Sequence, residues 1–203
     1  MVIKIKTIGI ILREFTENDI DFLGNRSDLY KALDSFNTNL IGIPININWF
    51  KIKNVVSLCD GIILPGGSSI NTNDFKLIEY LIQKNIPTLG ICLGMQTMAQ
   101  YFNNKQEIKV DNHYNTNKYV HKVIINTKSK LYDIVKQKEI EVNSRHHYAI
   151  PHTNMLINAK SEDNVIEGVE LPYLKFFIGV EWHPESTFDS KSYQIIKQFI
   201  NNL

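Results

Sequence analysis

The sequence predicts an α/β fold with a doubly wound, mostly parallel sheet flanked by helices. Through residues 5–102, short apolar runs rich in β-branched residues alternate with segments of helical periodicity, and the connections are short. This alternation is typical of a parallel sheet covered on both faces. In the second half, strand-like runs follow one another with few helices between them, so we expect some antiparallel strands there.

The first half contains four predicted strands and three predicted helices. The isoleucine-rich residues 5–12 predict a strand, and the polar residues 13–24 predict a loop. Ser27 is a candidate cap for the first helix, and Thr72 or Asn73 for the second. Apolar spacing predicts the helices at residues 27–36, 74–83 and 93–102, and further strands at residues 40–47, 61–64 and 87–91. This order favours a flavodoxin-like domain.

The second half is predicted to contain mainly strands. They are expected at residues 119–126, 139–144, 155–161, 165–171 and 176–181. The polar, asparagine-rich residues 103–118 predict a long surface loop, and residues 190–203 have the apolar spacing of a closing helix. Because the 203 residues contain no linker or internal repeat, we expect one domain over residues 1–203.

Composition and charge exclude several classes of protein. The net charge of +1 provides no field that would attract nucleic acid or an anionic membrane. No apolar run reaches the roughly 18 to 20 residues of a membrane span, and residues 1–6 alternate like a strand, unlike a secretory signal. Two cysteines, Cys59 and Cys92, do not form a disulfide framework. We therefore expect a cytoplasmic protein that binds neither nucleic acid nor membrane.

The strongest candidate nucleophile is Cys92, at the junction of a predicted strand and helix. Gly90 and Gly94 flank it at two positions on either side. A sharp strand-to-helix turn exposes a nucleophile and needs small neighbours, and the helix N-terminus favours the thiolate. An isolated cysteine is more often a small buried hydrophobe. The two glycines favour the nucleophile.

A second motif supplies a partner for this thiol. Pro184 biases His183 toward extended backbone, in which alternate side chains point the same way, so Glu185 is expected to reach His183. The carboxylate would then orient the imidazole and stabilise the imidazolium. The alternative is a surface pair. Trp182 and the apolar run before it favour the end of a buried strand instead.

The turn Pro65-Gly66-Gly67 follows another predicted strand. Carboxyl ends of parallel strands meet at one edge of a sheet, so this turn is expected near Cys92. We assign the oxyanion hole to the backbone N–H groups of Gly67 and Leu93. Taken alone, Pro-Gly-Gly indicates only a turn.

A polar cluster at residues 143–148 contains two adjacent histidines, His146 and His147. Neighbours on a strand point to opposite faces and cannot bind one ion together, so no metal is expected. One histidine is expected to contact substrate and the other to be structural.

Together these segments resemble the class I glutamine amidotransferases. The resemblance is closest to the branch of γ-glutamyl-γ-aminobutyrate hydrolases and γ-glutamyl hydrolases, also called the C26 peptidases. It covers nearly the whole chain and is strongest at residues 64–67, 90–96, 142–147 and 179–185. Tyr148 stands where many relatives carry glutamine, and the N-terminal half is shorter, so the amine side of the substrate is less defined than the acyl side.

The resemblance implies a small-molecule γ-glutamyl substrate, no cofactor, and a γ-glutamyl thioester on Cys92. His183 would carry the proton, Glu185 would orient it, and Gly67 with Leu93 would bind the oxyanion. The residues expected to bind the substrate are Gly66, Gln96, Ser144, Arg145 and His146.

Three functions are compatible with this resemblance. The first is a free-standing γ-glutamyl amide hydrolase, because no synthase domain is attached. The second is a glutaminase subunit that delivers ammonia to a separate synthase, and the third is a binding protein that has lost catalysis. The three catalytic residues oppose the third. A homodimer and a synthase partner both stay open.

Overall fold

The structure, a computed structural model, describes residues 4–104 and 106–203. Residues 1–3 of the alternating N-terminal pattern, and residue 105 of the predicted loop, lie outside the described residues. The strands are β1 (Lys6–Glu17), β2 (Ile20–Gly24), β3 (Thr38–Pro44), β4 (Gly61–Leu64), β5 (Thr88–Ile91), β6 (Ile108–Lys109), β7 (His121–Ile125), β8 (Glu139–Val142), β9 (Tyr148–Ala149), β10 (Leu156–Ser161), β11 (Ile166–Glu170) and β12 (Phe177–Val180). The helices are α1 (Ser27–Leu33), α2 (Trp49–Val56), α3 (Thr72–Lys84), α4 (Leu93–Tyr101), α5 (Lys130–Val135), α6 (Pro184–Thr187) and α7 (Ser190–Asn201).

The main sheet is mixed, as predicted. Its parallel part has the order β3-β1-β4-β5-β12. Beyond β12 the sheet continues antiparallel through β11, β10, β7 and β8. The parallel order reverses direction at β1, which is the arrangement of a doubly wound, flavodoxin-like sheet.

Helices cover both faces of this sheet. Apolar residues of α1, α5 and α7 pack in one buried cluster with Ile8, Ile10 and Ile63. Apolar residues of α2, α3 and α4 pack in a second cluster with Ile11 and Ile62. The alternation of neighbouring strand residues between two cores requires helices on both sides, because both faces of each central strand are apolar. In the described part of the chain, no helix is long and apolar enough to cross a membrane.

The predicted loop at residues 13–24 is wrong. Instead, β1 continues to Glu17 and returns as β2, with Arg13 opposite Gly24 in the antiparallel register. Asn18 and Asp19 both have positive φ, which suits a two-residue hairpin turn. The hairpin was missed because its apolar side chains, among them Phe15, Ile20 and Phe22, are few and exposed among polar residues, so they do not show the pattern of a buried strand face.

Three local predictions about helices also need correction. Ser27 is the first residue of α1 and not its cap, and the cap position at Arg26 makes no side-chain hydrogen bond. Asn71, rather than Thr72 or Asn73, caps α3 in a capping box with Asp74. The helices α2 and α5 were not predicted, because eight and six residues are too few for a clear period. Where it is described, the predicted loop at residues 103–118 contains the short strand β6 and a single β-bridge at Tyr114.

The parallel strands end at one edge of the sheet. Arg13 lies where β1 leaves its parallel partners, residues 65–67 follow β4, Cys92 follows β5, and His183 lies shortly after β12. In open α/β sheets, ligands bind outside the carboxyl ends of the strands near the point where the strand order reverses. This edge is therefore the first place to look for a site.

Candidate active site

Cys92 occupies a strained turn between β5 and α4. Its φ and ψ are 50° and −111°, a backbone conformation that residues other than glycine rarely adopt. The turn is tight because α4 approaches β4 closely: a Cβ on Gly94 would lie 1.9 Å from the Leu64 carbonyl oxygen. A Cβ on Gly90 would lie 2.4 Å from the sulfur of Met98. Both glycines are thus required by packing around the cysteine.

His183 and Glu185 form a buried pair beside this turn. The His183 Nδ1 and a Glu185 carboxylate oxygen are 2.7 Å apart. The backbone N–H and C=O of His183 are both bound by the Asn143 side chain, each at 2.8 Å, which fixes the imidazole's attachment point. The expected extended backbone is wrong beyond His183, because Glu185 lies in the short helix α6 and reaches the ring by a helical turn.

Electrostatics link this pair to the thiol. Burial disfavours the imidazolium, but the Glu185 carboxylate and the hydrogen bond with Cys92 overcome this and raise the pKa of His183 to about 10. Burial also raises the pKa of the Cys92 thiol, although its hydrogen bond with His183 acts in the opposite direction. The expected preference for thiolate is therefore opposed by burial. Because Glu185 holds Nδ1, the thiol faces the other ring nitrogen, Nε2, which is placed to take its proton.

A cleft of about 530 Å³ opens above Cys92. Its walls include Gly66, Gly67, His183 and Arg145. A Cβ on Gly66 would lie 2.9 Å from the His183 Cε1 atom, so this glycine allows the ring to reach the cysteine. A larger groove of about 720 Å³ lies between α5 and α7 and contains none of these residues. The smaller cleft is the one that contains Cys92, His183 and Glu185.

Two backbone amides border the sulfur. The Leu93 N–H donates a hydrogen bond to Cys92 at the start of α4. Gly67 lies across the cleft, where a Cβ would meet the Leu93 side chain at 3.0 Å. Within residues 4–104 and 106–203, the Gly67 amide has no acceptor. The Gly67 amide is thus available to an oxygen beside the sulfur, and the Leu93 amide can donate to that oxygen in place of the sulfur.

Arg13 supports the turn at residues 65–67 and was missed from the sequence. Its Nη1 atom contacts both carboxylate oxygens of Asp74, at 2.8 and 2.9 Å, and its Nε donates to the Pro65 carbonyl at 3.3 Å. Arg13 is buried, lines the cleft, and has an Nη2 atom without a partner in the described residues. No local signal could reveal it, because Asp74 is 61 positions away.

The structure separates the residues expected to bind substrate into two groups. Gly66 and Arg145 line the cleft, and Arg145 donates to the Ser186 hydroxyl at 3.0 Å. Gln96 and Ser144 are buried outside the lining. The Gln96 amide donates to the Tyr148 carbonyl and the Glu181 carboxylate, and the Ser144 hydroxyl donates to a backbone carbonyl. In this structure, Gln96 and Ser144 therefore hold the surrounding segments together.

His146 and His147 diverge. His147 is exposed and stacks on Tyr114, with ring centroids 4.5 Å apart. His146 is buried outside the cleft lining. In the described residues it joins His113, His121 and Glu167 in a group that has the spacing of metal ligands.

Comparison with known proteins shows which family this chain resembles. Residues 71–185 match the Peptidase C26 family. A Schizosaccharomyces pombe protein named as a glutamine amidotransferase is 30% identical over 180 residues, which span 70% of this chain and 69% of that protein. The CTP synthase of Nautilia profundicola is 26% identical over 199 residues, spanning 75% of this chain and 36% of that enzyme.

A solved structure shares the fold. A Thermoplasma acidophilum protein described as one subunit of GMP synthase superposes with a TM-score of 0.75 at 19% identity, covering 99% of this chain and 95% of that one. The family match over residues 71–185 includes both the Cys92 turn and the His183–Glu185 pair. The chain therefore belongs to the Peptidase C26 family, within the class I glutamine amidotransferase superfamily.

Proposed function

We propose that the protein hydrolyses a γ-glutamyl amide bond and releases glutamate and an amine. The observation that supports this most is the Cys92–His183–Glu185 constellation at the floor of a cleft, with His183 bound to Glu185 at 2.7 Å. The cleft also contains Arg13, Arg26 and Arg145. Guanidinium groups suit the free α-carboxylate that every γ-glutamyl compound carries.

The proposed reaction has two halves. The thiol proton first passes to the Nε2 of His183, in line with the raised pKa of that ring, and the thiolate then attacks the δ-carbon of the substrate while the Gly67 and Leu93 amides bind the oxygen that becomes negative. His183 then gives this proton to the leaving nitrogen, the C–N bond breaks, and a γ-glutamyl thioester remains. In the second half, His183 takes a proton from water, the water oxygen attacks the thioester carbon, the C–S bond breaks, and His183 returns the proton to the sulfur as glutamate leaves.

Glu185 acts through His183 in this scheme. Its carboxylate holds the Nδ1–H, so that Nε2 is the free nitrogen, and it stabilises the imidazolium formed in each half-reaction. No metal takes part in these steps, because the triad and the two amides supply the nucleophile, the base and the oxyanion donors. A reducing, cytoplasmic setting is part of the proposal, since the nucleophilic thiol has to remain reduced.

A glutaminase subunit is the second candidate. The similarity to a CTP synthase over 36% of that enzyme favours it, because such a domain would use the same triad and pass ammonia to a synthase. The two functions differ in partner dependence. A free-standing hydrolase works alone, whereas a subunit needs its synthase for full glutaminase activity.

The test is a substrate screen scored by released glutamate. The panel contains glutamine, γ-glutamyl-aminobutyrate, γ-glutamyl peptides and γ-glutamyl conjugates of nucleotides, and Cys92→Ala provides the background. We expect turnover of at least one γ-glutamyl amide other than glutamine by the isolated protein. Turnover of glutamine alone would favour the glutaminase role. No turnover above background by any compound would overturn the proposal.

A further inference from the structure

A second polar site lies in the antiparallel part of the sheet, outside the cleft lining. We call it the histidine cluster: His113 between β6 and β7, His121 at the start of β7, His146 before β9, and Glu167 in β11. His113, His146 and Glu167 are buried and His121 is partly buried. The residues come from four separate places in the sequence, so the fold itself brings them together.

Each residue turns one ligand atom toward a common centre. Glu167 Oε1 lies 3.1 Å from His113 Nδ1, 3.6 Å from His121 Nε2 and 3.6 Å from His146 Nε2. His113 Nδ1 and His146 Nε2 are 3.2 Å apart, and all four atoms lie within 4.8 Å of one another. Four ligands at about 2.0–2.1 Å around a tetrahedral zinc ion are roughly 3.3 Å apart. The distances across the cluster therefore bracket the edges of such a tetrahedron.

In the described part of the chain, hydrogen bonds do not satisfy the buried carboxylate of Glu167. Glu167 is fully buried, and neither of its oxygens makes a well-aligned hydrogen bond in the described residues; the His113 Nδ1 atom 3.1 Å from Oε1 forms an ion pair only when the imidazole is protonated. The Nε2 atom of His121 is also buried without a partner there. A buried carboxylate without hydrogen bonds is costly unless it binds a positive charge. A cation at the common centre would engage both unsatisfied groups.

The outer nitrogens of the three rings are held as metal-binding histidines usually are. His113 Nε2 lies 3.1 Å from an Asp163 carboxylate oxygen, and His146 Nδ1 lies 3.0 Å from the Tyr148 carbonyl. His121 Nδ1 lies 3.3 Å from the Lys122 carbonyl. An N–H that donates outward leaves a lone pair on the inner nitrogen, directed at the centre.

We propose that the histidine cluster binds one zinc-class divalent cation. Three imidazoles and one carboxylate match the ligand preference of zinc and neighbouring transition metals, whereas calcium and magnesium prefer oxygen ligands alone. Four protein ligands close the coordination shell, which is typical of a structural site.

The site would fix one wall of the active-site cleft. Tyr114 directly follows His113, and Arg145 directly precedes His146. Tyr114 and Arg145 pair with each other in a β-bridge, and both line the cleft. A cation that joins His113 to His146 would hold these two segments together. The cation therefore stabilises the wall that carries Arg145 and takes no part in bond breaking.

The test is metal binding by the untagged protein, measured without reference to activity. Metal is first removed with a chelator, and the apoprotein is then titrated with Co²⁺ while visible absorption is recorded. Zinc affinity is measured by competition with a chromophoric chelator. We expect one equivalent of Co²⁺ with the strong absorption of a four-coordinate site, displaced by zinc.

Two ligand variants and one control accompany the titration. Glu167→Gln keeps the side-chain shape, and His121→Ala removes the least buried ligand, so both should bind zinc at least ~10-fold more weakly. His152→Ala is the matched control, because His152 is exposed and outside the cluster. It should bind like the unsubstituted protein. Circular dichroism identifies a variant that fails to fold, in which case the other decides. Absence of saturable one-to-one Co²⁺ binding, or equal affinity in the folded variants and the control, would overturn the proposal.

Discussion

The parallel and antiparallel parts of the sheet assemble their polar residues in different ways. In the parallel part, Cys92 and His183 lie at strand ends, and Glu185 is two positions from His183. In the antiparallel part, the histidine cluster joins residues from four separate segments. The first arrangement exposes its groups to a cleft and is suited to chemistry on a ligand. The second encloses its groups and is suited to holding the fold.

The two regions also differ in how their charges are satisfied. The Glu185 carboxylate has one oxygen bound to His183 at 2.7 Å, so the pair is joined by a short hydrogen bond, and its second oxygen lacks a partner in the described residues. Both oxygens of Glu167 lack hydrogen bonds in the described residues. Changing either member of the His183–Glu185 pair should destabilise the protein, because the other member is left buried without its partner. Adding a cation should instead stabilise the histidine cluster. This difference decides which experiments separate the two regions.

The largest expected effect is at the nucleophile. Cys92→Ala should lower turnover by at least ~10⁴-fold, because the acyl-enzyme route needs a thiol, and should leave the circular dichroism spectrum unchanged. The matched control is Cys59→Ser. Cys59 is partly buried, and burial raises the pKa of its thiol to about 11, so it should not react with a glutamine-like diazoketone. Labelling lost in Cys59→Ser but kept in Cys92→Ala would refute the assignment.

The next largest effect is expected at the buried ion pair between Arg13 and Asp74, which supports the turn at residues 65–67. Arg13→Met leaves Asp74 buried without its partner and should lower the free energy of unfolding by ~3–5 kcal/mol. Lys4→Met is the control, since the Lys4–Asp60 pair is exposed at its lysine end and should contribute less than ~1 kcal/mol. Urea unfolding of both variants gives the comparison. Equal losses would mean that the buried pair does not stabilise this edge.

Glu185→Gln tests the orienting role of the third residue. The amide can still accept from Nδ1 but loses the charge that stabilises the imidazolium, so acylation should slow by ~10²–10³-fold, less than for His183→Ala. Single-turnover kinetics are needed to separate acylation from deacylation. A variant as inactive as Cys92→Ala, or one with full activity, would end the orienting role. In the second case Glu181, which is buried and close to His183 in the sequence, would be tested next.

The same variant predicts a pH dependence of stability. Glu185 helps raise the pKa of His183 from 6.5 to about 10, so the pair's stabilisation is fully present below pH 6.5 and is lost as pH rises toward 10. The free energy of unfolding should therefore differ between the unsubstituted protein and Glu185→Gln by on the order of 2 kcal/mol near pH 6.5, and by less near pH 10. Urea titrations at the two pH values measure this. A constant difference would contradict the raised pKa.

The grouping of Cys92, His183 and Glu185 can be predicted from the sequence because its signals are local. Gly90 and Gly94 flank Cys92 by two positions, and Glu185 is two positions from His183, so spacing alone suggests the partners. Even there, the expected extended backbone was wrong, since a helical turn also brings neighbouring residues together. The contact was predicted for a reason that the structure does not support.

The sequence does not predict pairs that only the fold creates. Arg13 and Asp74 are separated by 61 positions, and no periodicity connects them. The argument against a metal compared His146 only with its neighbour His147, which does point elsewhere. The partners that matter for His146 are His113, His121 and Glu167, and His121 and Glu167 meet only after β10 pairs with both β7 and β11.

The smallest effect is expected when the histidine cluster is changed and the Cys92–His183–Glu185 group is observed, which tests whether the two regions are independent. His121→Ala removes a ligand from the histidine cluster, but among the described residues His121 makes no hydrogen bond to Cys92, His183 or Glu185. The variant keeps His113 and His146, the two ligands next to the cleft wall at Tyr114 and Arg145, so labelling of Cys92 by the diazoketone should change less than ~3-fold. The melting temperature of the zinc-loaded variant should fall below that of His152→Ala, because binding no longer favours the folded state as strongly. Labelling is the sharper measurement, since it reports the Cys92–His183 pair without requiring the natural substrate. A loss of labelling as large as that of Glu185→Gln would mean that the cluster and the active site form one coupled unit, and the distinction between a catalytic and a holding region would have to be abandoned.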